Sequence, residues 1–165
     1  HIGLVRAVAL LRDQGVVVHI VCSGGATPYF EQTVQPLIQS LKLESQFHFV
    51  GFVSTAELNA LYALAKALVF PSLFEGFGMP LIEAMRADLP VACSDNSAVP
   101  EVVGEAALKF AADDVTAMAG QLRLLWEDSE LRDSLIVKGC ERAKLFVWKT
   151  SAQQYVRLYS EVLRK

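Results

Sequence analysis

Two glutamates, Glu75 and Glu83, bracket a glycine-punctuated stretch with seven residues between them. Carboxylates so placed can accept hydrogen bonds from hydroxyls or balance a cation. The run 67–70, Ala-Leu-Val-Phe, precedes them and has no polar alternation, the pattern of a parallel strand covered on both faces. Gly76 and Gly78 permit a tight turn and close approach of the backbone to a ligand. Pro80 suits the first position of a helix, where its missing N–H costs nothing. The N–H groups at that helix start would face outward in a positive field suited to phosphate. Carboxylates beside a phosphate oppose it unless they bind something else, and sugar hydroxyls are the obvious partners. A plainer reading is a helix entry with acidic residues favoured by the dipole, worth about 0.3–1 kcal/mol each. Against it, Glu83 lies a turn into the helix beside Leu81, Ile82 and Met85, where a charge needs a partner.

The elements that would position these residues alternate along the chain. Helical spacing opens it (Leu4, Val8, Leu11), and strand patterns follow at 16–22, 47–50, 67–70, 90–93 and 107–110. Helical patterns fall at 30–41, from Ser54 with Glu57 completing a capping box, at 99–103, and from Val115 onward with breaks near Asp128 and Phe146. Such alternation predicts an α/β fold with a doubly wound parallel sheet. Ligands of these folds bind outside the carboxyl ends of the strands. The turns Ser23-Gly24-Gly25, Gly51-Phe52-Val53, Ser72 to Gly78 and Ser94 to Ser97 should therefore line one edge. Asp88 should take a left-handed turn, which Asp tolerates.

The segment Phe74-Glu75-Gly76-Phe77-Gly78-Met79-Pro80-Leu81-Ile82-Glu83-Ala84-Met85 resembles the Glu-x7-Glu signature of the group 1 glycosyltransferases, retaining enzymes of the GT-B fold. Val50-Gly51-Phe52-Val53-Ser54 with Glu57 to Tyr62 is similar to that family's preceding strand-turn-helix. Leu89 to Asp95, Val99 to Gly104, and Trp148 before a closing amphipathic helix continue the likeness in family order over nearly the whole chain. The resemblance implies a Rossmann-like C-terminal half of a GT-B fold with its first strand missing, residues 1–165 forming one donor-binding domain. It implies that Glu75 orients the transferred sugar, that Gly76, Phe77, Gly78 and Met79 offer N–H groups to a diphosphate, and that Glu83 holds the ribose. Phe52 and Val53 fall where the family holds the nucleobase. Gly24 and Gly25 could equally mark an ordinary turn or touch the donor. The substrate would be a nucleotide-diphospho-sugar, with no metal cofactor, because the family's Arg and Lys from an upstream turn meet the leaving diphosphate. The chain is expected to be a fragment, its acceptor domain lying upstream and carrying any contact with the cytoplasmic membrane face.

Composition narrows the alternatives. Fifteen Lys and Arg against 18 Asp and Glu leave a net charge of −3, which supplies no general attraction to nucleic acid or anionic membrane. No apolar run reaches the roughly 18 residues of a membrane helix, and no signal peptide opens the chain, so a cytoplasmic protein is expected. Cys22, Cys93 and Cys140 lack metal-ligand spacing and read as packed free thiols. His19 and His48 lie in strand patterns and read as structural. Two rival functions remain: a non-catalytic nucleotide-sugar-binding subunit, and a nucleotide-sugar 2-epimerase of the same fold, whose motif strand is not followed by Glu-Gly-Phe-Gly-Met-Pro.

Overall fold

The computed structural model describes residues 1–164. Elements follow in the order α1 (Ile2–Asp13), β1 (Ile20–Ser23), α2 (Gln35–Ser40), β2 (Phe47–Gly51), α3 (Thr55–Leu64), β3 (Leu68–Phe70), α4 (Met79–Arg86), β4 (Val91–Ser94), α5 (Val99–Val103), β5 (Ala107–Phe110), α6 (Val115–Glu127), α7 (Ser129–Ala143) and α8 (Trp148–Leu163). All strand pairs are parallel. Helix starts are set locally: Ser54 and Glu57 form the expected capping box on α3, and Asp114 and Asp128 accept from Ala117 and Leu131 N–H groups to cap α6 and α7. Asp128 also closes α6, which explains the break there.

The strands β3, β4 and β5 form one sheet in that order. Side-chain alternation gives it two apolar faces. Val69, Ala92, Leu108 and Phe110 join a core with α1 and α6, where Leu4, Val8, Leu11, Met118, Leu122 and Leu125 are buried. Leu68, Phe70, Val91, Cys93 and Ala107 join a second core with α4 and α5, built on Leu81, Ile82, Met85, Val99, Val102 and Val103. Helices therefore cover both faces, as a doubly wound sheet requires. Each large side chain so buried contributes roughly 1.5–3 kcal/mol of transfer free energy.

Three local differences from the sequence reading have physical causes. The segment 16–19 has no strand partner, so β1 begins only at Ile20, although Val16 and Val18 are buried. The helix expected over 30–41 opens with a wide turn, Phe30–Val34, in which the Gln35 N–H reaches back to the Phe30 carbonyl. Pro36 follows directly; it cannot donate and its ring crowds the carbonyl four residues back. Third, β1 and β2 form a separate two-stranded sheet. Among the described residues, β1 and β3 each have one edge without a strand partner. The outer face of the small sheet is also open, with Val21 and Val50 about half exposed.

The helix α4 begins one residue earlier than expected, at Met79, because Gly78 caps it in a left-handed conformation with φ +94°. A Cβ there would lie 2.8 Å from Leu81 Cδ1, whereas at Gly76 it would meet nothing within 4 Å. The two glycines are thus not equivalent. Gly78→Ala adds left-handed strain of about 1–2 kcal/mol and a contact the buried Leu81 must yield to. Its melting temperature should fall by about 3–10 °C, at roughly 2–4 °C per kcal/mol for a chain of this size. Gly76→Ala should melt within about 2 °C of the parent; equal losses in the two variants would contradict the distinction.

Candidate functional site

Between β3 and α4 the chain runs through Pro71 to Gly78, with Leu73 and Phe74 mostly exposed. Side chains from the end of β4 hold this loop. Ser94, fully buried, donates through Oγ to the Ser72 carbonyl at 2.5 Å. Asn96 Nδ2 reaches the Leu73 carbonyl at 3.5 Å, and the Glu75 N–H donates to Ser97 Oγ at 2.9 Å. Ser97 has φ +51°, an uncommon conformation for a residue with a Cβ, and it carries that hydroxyl. Ser72 Oγ in turn donates to Glu75 Oε1 at 2.8 Å. The half-buried Glu75 thus has its carboxylate oriented from the turn after β3 and its backbone N–H tethered from the turn after β4. The sequence places Ser72, Ser94, Asn96 and Ser97 only in turns expected to line one edge, with no role for their side chains. The one available signal was that both turns follow strands, and neighbouring strand ends are close in a parallel sheet.

Beyond Glu75, the N–H groups of Gly76, Phe77, Gly78 and Met79 donate to no protein acceptor among the described residues, while the Leu81 N–H already bonds the Gly78 carbonyl at 3.0 Å. Four consecutive donors at a helix start are left without a protein acceptor, on residues that are exposed apart from Gly78. An anion suits such a place, since bare N–H groups and the helix dipole act together. Phe77 packs edge-on against Phe146 with ring centroids 5.7 Å apart.

Glu83 departs from its expected setting. It lies on the exposed side of α4, away from the face that buries Leu81, Ile82 and Met85. Its partner is Tyr62 on α3, whose hydroxyl donates to Oε2 at 3.1 Å. Burial first, then the Glu83 charge and this bond, push the Tyr62 phenol up to about 12. The remaining expected residues form a separate cluster at the ends of β1 and β2. The Gly24 N–H bonds the Gly51 carbonyl at 2.8 Å, with both glycines at positive φ. A Cβ on Gly25 would come within 2.9 Å of the Phe52 ring, which is otherwise 89% exposed. Val53 is half-buried just ahead of the α3 cap. Among the described residues no hydrogen bond joins this cluster to the Glu75 loop; α3 links them, starting after Val53 and meeting Glu83 through Tyr62.

The other titratable groups play no part in the loop. His19 and His48 are exposed, and their ring nitrogens lie 3.1 Å apart. All three cysteines are free; burial pushes the Cys93 thiol up to about 12, and Cys140 donates to Asp88, whose φ of +55° is the left-handed turn expected there. Among the described residues no three His, Cys, Asp or Glu side chains converge, and no helix is long and apolar enough to cross a membrane.

The family profile described as "Glycosyl transferases group 1" matches residues 1–142. The chain belongs to the group 1 glycosyl transferases. Among relatives in this family, the O-antigen chain mannosyltransferase B of Escherichia coli is 31% identical over 157 residues, covering 95% of this chain and 41% of its own length. Sucrose-phosphate synthase from Thermosynechococcus elongatus superposes with a TM-score of 0.83 at 26% identity, over 97% of this chain and 42% of that one. HepE from Anabaena, solved in complex with UDP, gives a TM-score of 0.84 at 23% identity, over 96% and 44% of the two chains. The fold is that of the Rossmann-like half of these glycosyltransferases, and the chain spans less than half the length of each.

The Tyr62–Glu83 pair gives this glycosyltransferase domain a signature at high pH. A phenol raised to about 12 keeps its proton in the native state where the unfolded chain, near 10, has lost it. Its contribution to stability is complete below about pH 10 and is lost as pH rises towards 12. In an ultraviolet titration one tyrosinate should appear late, and Tyr62→Phe should remove that component. A variant that retains the late step would place the raised phenol elsewhere.

Proposed function

We propose that this chain supplies the donor site of a retaining glycosyltransferase, binding a nucleotide-diphospho-sugar while a domain outside residues 1–165 binds the acceptor. The observation that carries this reading is the run of free N–H groups from Gly76 to Met79, next to Glu75, whose carboxylate is held by Ser72 and whose backbone N–H is held by Ser97. The diphosphate would sit on those N–H groups. As the bond to the sugar breaks, charge builds on the leaving phosphate oxygens, and donors fixed in advance stabilise it without reorganisation. Glu75, with Oε1 held by Ser72, would present its other oxygen to sugar hydroxyls. Glu83 would accept from the ribose while Tyr62 fixes its second oxygen. Phe52 beside Gly25 would flank the base, with Val53 behind it.

The mannosyltransferase named for its relative and the UDP found with HepE support a sugar donor carried on a nucleotide. The additional cations that a diphosphate calls for would come from outside this chain, in the cytoplasm, with the acceptor domain meeting any membrane surface.

Glu75→Gln should lower sugar transfer by the full-length protein about ten- to a hundredfold, the equivalent of one charged hydrogen bond of roughly 1.5–3 kcal/mol, with its melting temperature unchanged. Glu83→Ala should instead weaken binding of the free nucleoside diphosphate. Transfer at the parent rate by Glu75→Gln would remove Glu75 from the mechanism.

The same account assigns the leaving charge to N–H groups and protein cations. Transfer should therefore continue in excess EDTA. Activity that disappears with the chelator and returns with magnesium or manganese would contradict it.

A further inference from the structure

Phe146 lies in the turn between α7 and α8, far along the sequence from the motif loop, yet three contacts fix it in place. Its carbonyl accepts from Arg86 Nη2 on α4 at 2.5 Å, and its N–H bonds the Ala143 carbonyl at 3.2 Å. Its ring lies 5.3 Å from the Arg142 guanidinium. Arg142 is itself anchored, donating through Nε to the Val102 carbonyl at 2.9 Å and through Nη2 to the Glu101 carbonyl at the end of α5. The Phe146 ring also meets Phe77 edge-to-face, with centroids 5.7 Å apart and an interplanar angle of 79°. Phe77 is the second of the four residues in the free N–H run and is 43% exposed. An edge-to-face partner fixed from three directions is what defines its position. Two residues after Phe146 begins α8, which has no buried residue and includes Trp148, 77% exposed. The turn at Phe146 is thus where α8 joins the residues that border the motif loop.

We propose that Phe146 is a positioning residue for the anion-facing loop: through Phe77 it sets the N–H groups of Gly76 to Met79, and it links their occupancy to the start of α8. This rests on the donor-site reading above. The ring need not touch the nucleotide. Removing it would let Phe77 and its two neighbouring peptides sample other orientations, and a ligand that needs all four donors aligned would have to restore the order on binding.

The test is a double-mutant cycle in the full-length protein, with affinity for uridine diphosphate and guanosine diphosphate measured by calorimetry and the tighter one carried forward. Phe146→Leu, which keeps apolar bulk, should weaken binding about two- to tenfold, the worth of an aromatic pair, while Phe146→Tyr should stay near the parent. In a Phe77→Ala background Phe146→Leu should cost nothing more, because the pair acts as a unit. Hydrogen exchange supplies the second readout: nucleotide should slow exchange at residues 146–151 of the parent and leave Phe146→Leu unchanged there. Parent affinity and parent exchange in Phe146→Leu would overturn the proposal. So would an equal loss in the Phe77→Ala background, which marks a general structural effect. Failure of the parent to bind either nucleotide would overturn the donor-site reading, and this inference with it.

Discussion

Ser94, at the buried end of β4, donates its hydroxyl to the Ser72 carbonyl, and this bond carries the order of the core into the motif loop. The strand β4 is hydrogen-bonded on both edges, to β3 and β5, and its four residues are all buried. A polar atom there without a partner would cost about 1–3 kcal/mol, so the Ser72 carbonyl is held where the Ser94 hydroxyl can satisfy both groups. From that point the chain has few freedoms. Asn96 ties Leu73 and Ser97 ties Glu75, Ser72 turns the Glu75 carboxylate, and Gly78 takes the left-handed step that starts α4. The N–H groups in between are left over because the surrounding bonds are already made.

The sequence carried the core of this arrangement plainly. The unbroken apolar run before Pro71, the glycine pair and the prolyl helix start located β3, the turn and α4 to within a residue or two. The capping box at Ser54 and the left-handed Asp88 were equally legible, because each is a local matter. What could not be read were contacts across the sheet. Ser97 and Ser94 are ordinary polar residues in a turn until β4 lies beside β3. Tyr62 looks like a core aromatic until α3 sets it against Glu83. The apolar neighbours of Glu83 suggested a buried charge, but on a helix three adjacent residues point in different directions. The single expected sheet became two because pattern shows where strands are and says little about which edges meet.

The two halves of the site rest on unequal supports. The Glu75 loop is braced by a sheet with both faces covered. The Gly24, Gly25 and Phe52 cluster rests on a two-stranded sheet whose outer face is open, and α3 between them has no buried residue. One face of that small sheet packs in the α1 core through Phe47, Ile20 and Cys22, but its unpaired parallel edge favours association with another strand. In the proposed donor complex, the Glu75 end of the site should be the more rigid and the Phe52 end the one that shifts.

In the proposed complex the unpaired N–H groups from Gly76 to Met79 receive the phosphates of the donor. An amide-resolved nuclear magnetic resonance titration of the full-length protein with a nucleoside diphosphate tests this. The amides of Gly76, Phe77, Gly78 and Met79 should show the largest proton shifts, downfield as each N–H acquires a charged acceptor. A nucleotide that binds and leaves those four resonances in place would contradict it.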